Sequence, residues 1–216
     1  MARVNVFYAN EPDNLHCLQN SFRMVYETIF GRSLSVEQAE ILTNFELGVP
    51  TWPFKILKSC ADLGLEVKHY EVFDPEFFVL SPEQAIRNLF DNEKIAQQVI
   101  NHTDISSERQ LVEACLHSEM VEFIVKTPTI SDIVDLLNEG YFVICNVNSP
   151  TLVGKDDYAG HFIIVESVGD DGNLLIQNPG LPPIKDQIVS LDLFNKAFHY
   201  PNPESGNIIA IRKLNC

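Results

Sequence analysis

The chain has 216 residues, 45% of them hydrophobic and 21% charged, the proportions of an ordinary globular protein with enough residues for one sizeable core. Fifteen Lys and Arg stand against 30 Asp and Glu, a formal net charge of −15, which repels phosphate backbones and anionic bilayers and argues against nucleic acid and membrane as partners. Met1 to Tyr8 holds too short an apolar run for a signal peptide, and nothing approaches the roughly 18 apolar residues of a membrane span, so the expectation is one domain over 1–216, cytoplasmic unless exported without a cleaved signal.

In chain order, Val4 to Tyr8 reads as a short β-prone run, followed by the polar loop Asn10-Glu11-Pro12-Asp13-Asn14. A helix from about Cys17 to Ile29 carries Leu18, Phe22, Val25, Tyr26 and Ile29 at helical spacing and stops near Gly31. Ser35-Val36-Glu37-Gln38 is a capping box that starts a second helix. The loop Gly48-Val49-Pro50-Thr51-Trp52-Pro53 leads to a third helix ending at Gly64, and Glu66 to Val72 alternates like a strand. Ser81-Pro82-Glu83 starts a further helix, with Ser as cap, and Ser107 to Glu119 is one more.

After Lys126 the pattern changes. Thr129 to Asp132 caps a short helix ending at Gly140, and Tyr141 to Val147 is a buried-strand run followed by a polar loop. Gly160 to Val168 and Asn173 to Asn178 are strands joined by Gly169-Asp170-Asp171-Gly172, whose composition is that of a hairpin turn. Ser190 to Phe198 reads as a helix and Asn207 to Arg212 as a last strand. The class is α+β, a helical half over about 1–126 packed on an antiparallel sheet over about 127–216.

The five cysteines are scattered, odd in number and without a C-x-x-C pair, which suggests neither a disulfide framework nor a zinc ribbon. Cys60, Cys115 and Cys145 sit in apolar patterns and read as small core residues; Cys216 is terminal. Cys17 differs, because it stands where a polar loop enters a helix. Free N–H groups and the dipole at a helix start favour the thiolate, the nucleophilic form.

His161 opens one strand of the hairpin and Asn178 closes the other, so antiparallel return brings the two to the same end. His161 is the candidate base that takes the thiol proton and then protonates the leaving group, and Asn178 the group that fixes the imidazole tautomer. Separately, His161 suits a hydrogen-bonded structural role and Asn178 a turn; the order Cys, His, Asn, each where its role needs it, favours a catalytic triad. The oxyanion hole would combine the Cys17 N–H with Asn10, Glu11 or Asn14. His16 is expected to point away from Cys17, exposed or facing substrate. Trp52, between prolines, lines a cleft or plugs the core. The remaining histidines, His69, His102, His117 and His199, show no ligand spacing, so neither a metal nor another cofactor is expected.

With Cys17 opening the first core helix, the helix-Gly140-strand element, Gly160-His161-Phe162-Ile163-Ile164-Val165 and Asn178-Pro179-Gly180, the sequence resembles the papain-like cysteine peptidases of the bacteriocin-leader-processing (double-glycine leader) type and their cytosolic relatives. The resemblance implies a papain-like fold and a cysteine-dependent peptidase or amidase acting on a peptide or amide-containing small molecule. It covers the order of elements along most of the chain and is loose between Pro50 and Lys126. That family usually has Cys-Gly at the nucleophile and Gln six residues earlier, where this chain has Leu18 and Glu11; its third member is often Asp, where this chain has Asn178. The His16-Cys17 pair also resembles papain-like acyltransferases that move an acyl group from a carrier-protein thioester to an amine. A non-catalytic binding domain on the same fold is the remaining alternative.

Overall fold

A computed structural model of the chain describes residues 2–49, 51–90 and 92–214; Pro50 in its loop and the terminal Cys216 lie outside them. Val4 to Tyr8 forms no strand. Its backbone is held by side chains instead: the Val4 N–H donates to Glu166 Oε1 at 3.1 Å and the Asn5 N–H to Thr28 Oγ1 at 3.1 Å. β-prone residues give a strand only beside a free sheet edge.

Helix α1 (Cys17–Phe30) buries Leu18, Phe22, Val25 and Tyr26 and ends at Gly31, whose positive φ of 67° lets its N–H return to the Glu27 carbonyl. Next come α2 (Val36–Thr43), with the Ser35–Gln38 capping box formed in both directions, α3 (Phe54–Asp62) and β1 (Leu65–Glu71). Between β1 and residue 120 lie four helices, α4 (Pro75–Leu80), α5 (Pro82–Leu89), α6 (Glu93–His102) and α7 (Ile105–Leu116). Two of these, α4 and α6, are not evident from the sequence pattern. The Ser81 side chain makes no capping bond, while Asp104, not the Ser107 region, caps α7 by accepting from the Ser107 N–H. Then follow β2 (Val121–Val125), α8 (Ile130–Asn138), β3 (Phe142–Asn148), the short α9 (Ser149–Leu152), β4 (Gly160–Val168), β5 (Asn173–Asn178), β6 (Ile184–Ser190), α10 (Leu191–Phe198) and β7 (Asn207–Lys213).

The seven strands make one sheet in the order β2-β1-β7-β3-β4-β5-β6. It is mixed rather than antiparallel, because β1 and β2 run parallel with Val67 opposite Val121. These two strands lie within residues 1–126, so helices and sheet do not divide near residue 126. The class is nonetheless α+β.

Side-chain alternation sorts the central strands onto two cores. Ile144, Ile164, Ile209 and Ile211 face a cluster with α1, α3 and the helices of residues 75–116, which includes Phe22, Phe54, Phe78 and Val112. Their neighbours Val143, Cys145, Ile163, Val165, Ile208 and Ala210 face a second cluster, with Ile133 and Leu136 of α8 and Phe194 and Phe198 of α10. No described helix is long and apolar enough to cross a membrane.

Phe22 is wholly buried at the centre of the α1 face. Phe22→Ala is expected to lower unfolding free energy by about 3–5 kcal/mol, transfer and cavity terms together; urea unfolding followed by circular dichroism measures it.

Candidate active site

Cys17 is the first residue of α1, and His16 before it provides no side-chain cap. The first-turn N–H groups are therefore free of a capping oxygen. Those of Cys17 and Leu18 lie beside the sulfur, and so does the backbone of Phe162, the residue after His161. The Ser21 hydroxyl donates to the Phe162 carbonyl at 3.4 Å, one turn further along α1. Two bonding contacts thus set the start of α1 against the start of β4.

His161 and Asn178 share a side of the sheet because of an irregularity in β4. Ser167 pairs with Leu175, but Val165 pairs with Ile176 and Ile164 with Gln177, leaving Glu166 as an extra residue. Continued, this register sets Asn178 across from Ile163, two residues from His161 and on the same face. Without the bulge Asn178 would oppose Ile164, and the two side chains would part to opposite faces. With it, His161 Nε2 is 2.8 Å from Asn178 Oδ1.

The polarity of that bond follows from a third group. Asn178 Oδ1 also accepts from the Gly180 N–H at 3.0 Å, a backbone donor that needs an oxygen, while Asn178 Nδ2 donates to Gln187 Oε1 at 2.8 Å. With the amide so oriented, His161 Nε2 carries the proton and Nδ1 is left as the basic nitrogen. A Cβ on Gly180 would stand 3.0 Å from Asn178 Oδ1 and 3.2 Å from His161 Nε2, so a side chain there would crowd the pair. Gln187 and Gly180 were not evident as site residues in the sequence. Gln187 lies on β6, a strand whose side chains are mostly exposed and whose pattern gives no core signal.

Burial is the dominant influence on both ionisable groups. It pushes the Cys17 thiol up, only partly opposed by the N–H groups of Phe162, Leu18 and Cys17 itself. It pushes the His161 imidazole down, partly opposed by Asn178. Both shifts favour a neutral thiol and a neutral imidazole at rest over a thiolate–imidazolium pair.

The loop before Cys17 is organised by Asn10. Its Oδ1 accepts from the N–H groups of Glu11 and His16 at 3.0 and 2.8 Å, its Nδ2 donates to Asn14 Oδ1 at 3.0 Å, and its own N–H donates to the Pro179 carbonyl at 2.6 Å. Asn10 thus fastens the loop beside Asn178, and Asn14 takes only one of the two hydrogens on its Nδ2. Glu11 is partly buried, and Asn14 is exposed with φ of 62°. The backbone N–H groups of Cys17 and Leu18, which no side chain caps, lie beside the sulfur.

His16 corrects an expectation: it is buried, not exposed. Its ring lies between Asp13 and Glu40, with Nδ1 to Asp13 Oδ1 at 3.1 Å and Nε2 to Glu40 Oε1 at 2.8 Å, and its centroid is 4.3 Å from that of Phe45. Burial alone would lower its pKa, but the bonds to Glu40 and Asp13 outweigh that and raise it. Glu40 lies on α2, beyond the reach of periodicity arguments about α1. Trp52 is partly buried between the core and a cleft. It stacks on Phe54, donates from Nε1 to Thr103 Oγ1 at 3.1 Å, and lines a cleft of about 540 Å³.

Phe162 and Asn146 also line that cleft, and Asn146 Oδ1 accepts the His161 N–H at 3.1 Å. The cleft thus runs up to the residue that follows the histidine. Cys60, Cys115 and Cys145 are buried core residues, as expected. Among the described residues no three His, Cys, Asp or Glu side chains are grouped to hold a metal ion. No known family model matches the chain, and no curated protein or solved structure matches it either.

Iodoacetamide under native conditions is expected to label Cys17 before Cys60, Cys115 and Cys145. Its rate should still be rising at pH above about 8.5, the ordinary thiol value; peptide mapping by mass spectrometry reads both. The raised His16 pKa gives stability that is fully present below about pH 6.5 and is lost as pH rises through the folded value. The stability gap between the native chain and His16→Gln should accordingly be full at pH 5.5 and narrow as pH rises above about 6.5, as ~1-unit steps in urea unfolding will record.

Proposed function

We propose that the chain is a cysteine-dependent hydrolase of amide or peptide bonds, a papain-like enzyme working through an acyl-thioester on Cys17. The observation that carries the reading is the oriented His161–Asn178 pair, 2.8 Å between Nε2 and Oδ1, at the head of a strand whose next residue touches the Cys17 sulfur with its backbone.

Chemistry follows from the protonation states. With thiol and imidazole both neutral at rest, His161 Nδ1 acts as general base at the moment of attack, taking the Sγ proton as the sulfur–carbon bond forms. Negative charge then develops on the former carbonyl oxygen, where the unused N–H groups at the start of α1 favour it. The imidazolium, held by Asn178 Oδ1 through Nε2–H, gives its proton to the departing amine, and the C–N bond breaks. Water, deprotonated by the same nitrogen, attacks the thioester and releases the acid, returning the proton to sulfur. Asn178 contributes orientation rather than charge, so it leaves the imidazole pKa lowered by burial and the base unprotonated at neutral pH.

Cys17→Ala is expected to abolish turnover of a fluorogenic peptide-amide library, and full activity in that variant would refute the reading. His161→Ala should cost about 10²- to 10⁴-fold in kcat/KM, the usual range for a positioned general base. Asn178→Ala should cost less, since Nδ1 can still accept a proton from a less restrained ring. The acid limb of kcat/KM should fall below about pH 6.5, the ordinary imidazole value.

A further inference from the structure

In the cleft, with β7 and β3 between it and Phe162 on β4, the last residue of β1, Glu71, meets β7. Its carboxyl is 3.6 Å from His69 Nε2, and Asn207 Nδ2 is 3.1 Å from the same ring nitrogen. Asn207 is 6% exposed and lines the cleft, yet its Oδ1 has no hydrogen-bond partner among the described residues. Glu71 has no Lys or Arg partner among them either. His69, buried behind it, is pushed down to about 3 by desolvation and stays neutral, so it gives no compensating charge. Glu204 adds a second carboxylate to the rim, and neither Lys, Arg nor His lines the cleft. The walls are aromatic: Trp52, Phe90 and Phe162.

The Glu71 side chain is 26% exposed, into the cleft that it lines, and accepts from Asn207; a partly desolvated carboxylate with no cation beside it still costs free energy. The buried carbonyl oxygen of Asn207 has the same need of a donor. An ammonium or guanidinium group meets both, and aromatic faces attract it further. A volume of about 540 Å³ is that of a small-molecule or single-side-chain site.

We propose that the Glu71 end of this cleft is a cation subsite, and that the substrate acylating Cys17 carries a protonated amine or guanidinium group seated between Glu71 and Asn207. The assignment of that ligand as substrate rests on Cys17 being the nucleophile; the subsite itself does not. Burial pushes the Glu71 carboxyl up to about 7 against the opposing bond from Asn207, and a cation seated beside it would bring it back down.

Trp52 is the only tryptophan of the chain and a wall of the cleft, so its fluorescence reports occupancy. Cadaverine, 1,5-pentanediol and glutarate, matched in length and differing in charge, are titrated into the Cys17→Ala chain at pH 8. Saturable binding of the diamine is expected, with at least tenfold weaker binding of the diol and of glutarate. Glu71→Gln should weaken the diamine at least tenfold and leave the diol unchanged. Diol binding as tight as diamine binding, no saturable diamine binding at millimolar concentration, or unaltered diamine affinity in Glu71→Gln would each overturn the proposal. If Glu71→Gln does not fold by circular dichroism, the diamine–diol comparison decides alone. Failure of the two readings is separable. A chain that binds cadaverine but turns over no amide removes the hydrolase and keeps the subsite; a chain that turns over amides through Cys17 and prefers the diol removes the subsite alone.

Discussion

One extra residue in β4 sets the geometry of the candidate site. Glu166 is inserted between two registers, and only beyond it do His161 and Asn178 fall on one face. The bulge is held from outside the sheet. Glu166 accepts from the Val4 N–H and pairs with the Arg3 guanidinium at 2.9 Å, while Arg3 also reaches Asp186, itself bonded to Gln177 Nε2 at 2.7 Å. Gln177 precedes Asn178. The N-terminal segment thus braces both strands of the pair, and its failure to form a strand is part of how it does so: the Val4 N–H and the Arg3 guanidinium are spent on β4 and β6, while Asn5 donates to α1.

Helix α1 supplies the other half. An ordinary helix start would place Ser, Asp or Asn before the first turn to occupy its free N–H groups. Here the position is His16, turned into Asp13 and Glu40 and away from the helix start. The loop receives its cap-like ordering from Asn10 instead, which ties the approach to α1 and, through Pro179, to the end of β5. Donors that a cap would have consumed stay next to the sulfur.

Much of this was legible along the chain, because the signals involved are local. Capping boxes at Ser35–Gln38 and Thr129–Asp132, the αL glycine after α1 and the Gly-Asp-Asp-Gly hairpin depend on residues within a few positions of one another, and each formed where expected. The joining of His161 to Asn178 followed from the hairpin, though the bulge that makes it work could not be seen: nothing in Val165-Glu166-Ser167 marks an insertion until Arg3 is known to reach it. Parallel pairing of β1 with β2 was hidden for the same reason, since two parallel strands need a long crossover and the four intervening helices break the contact in sequence. Glu71 was passed over because alternation in Glu66 to Val72 reads as a solvent-facing polar side. The other side of that strand end is closed by β7, more than 130 residues on, and what resembled surface is the floor of a cleft.

A resting thiol that is held neutral has a further chemical consequence. It is the thiolate that attacks peroxide and disulfides, so a cysteine whose pKa is raised by burial oxidises slowly despite being partly exposed. Cys60, Cys115 and Cys145 are closed off in the core, and no resolving cysteine is at hand among the described residues to rescue a sulfenic acid on Cys17. Burial that holds the proton on the sulfur thereby also slows its oxidation.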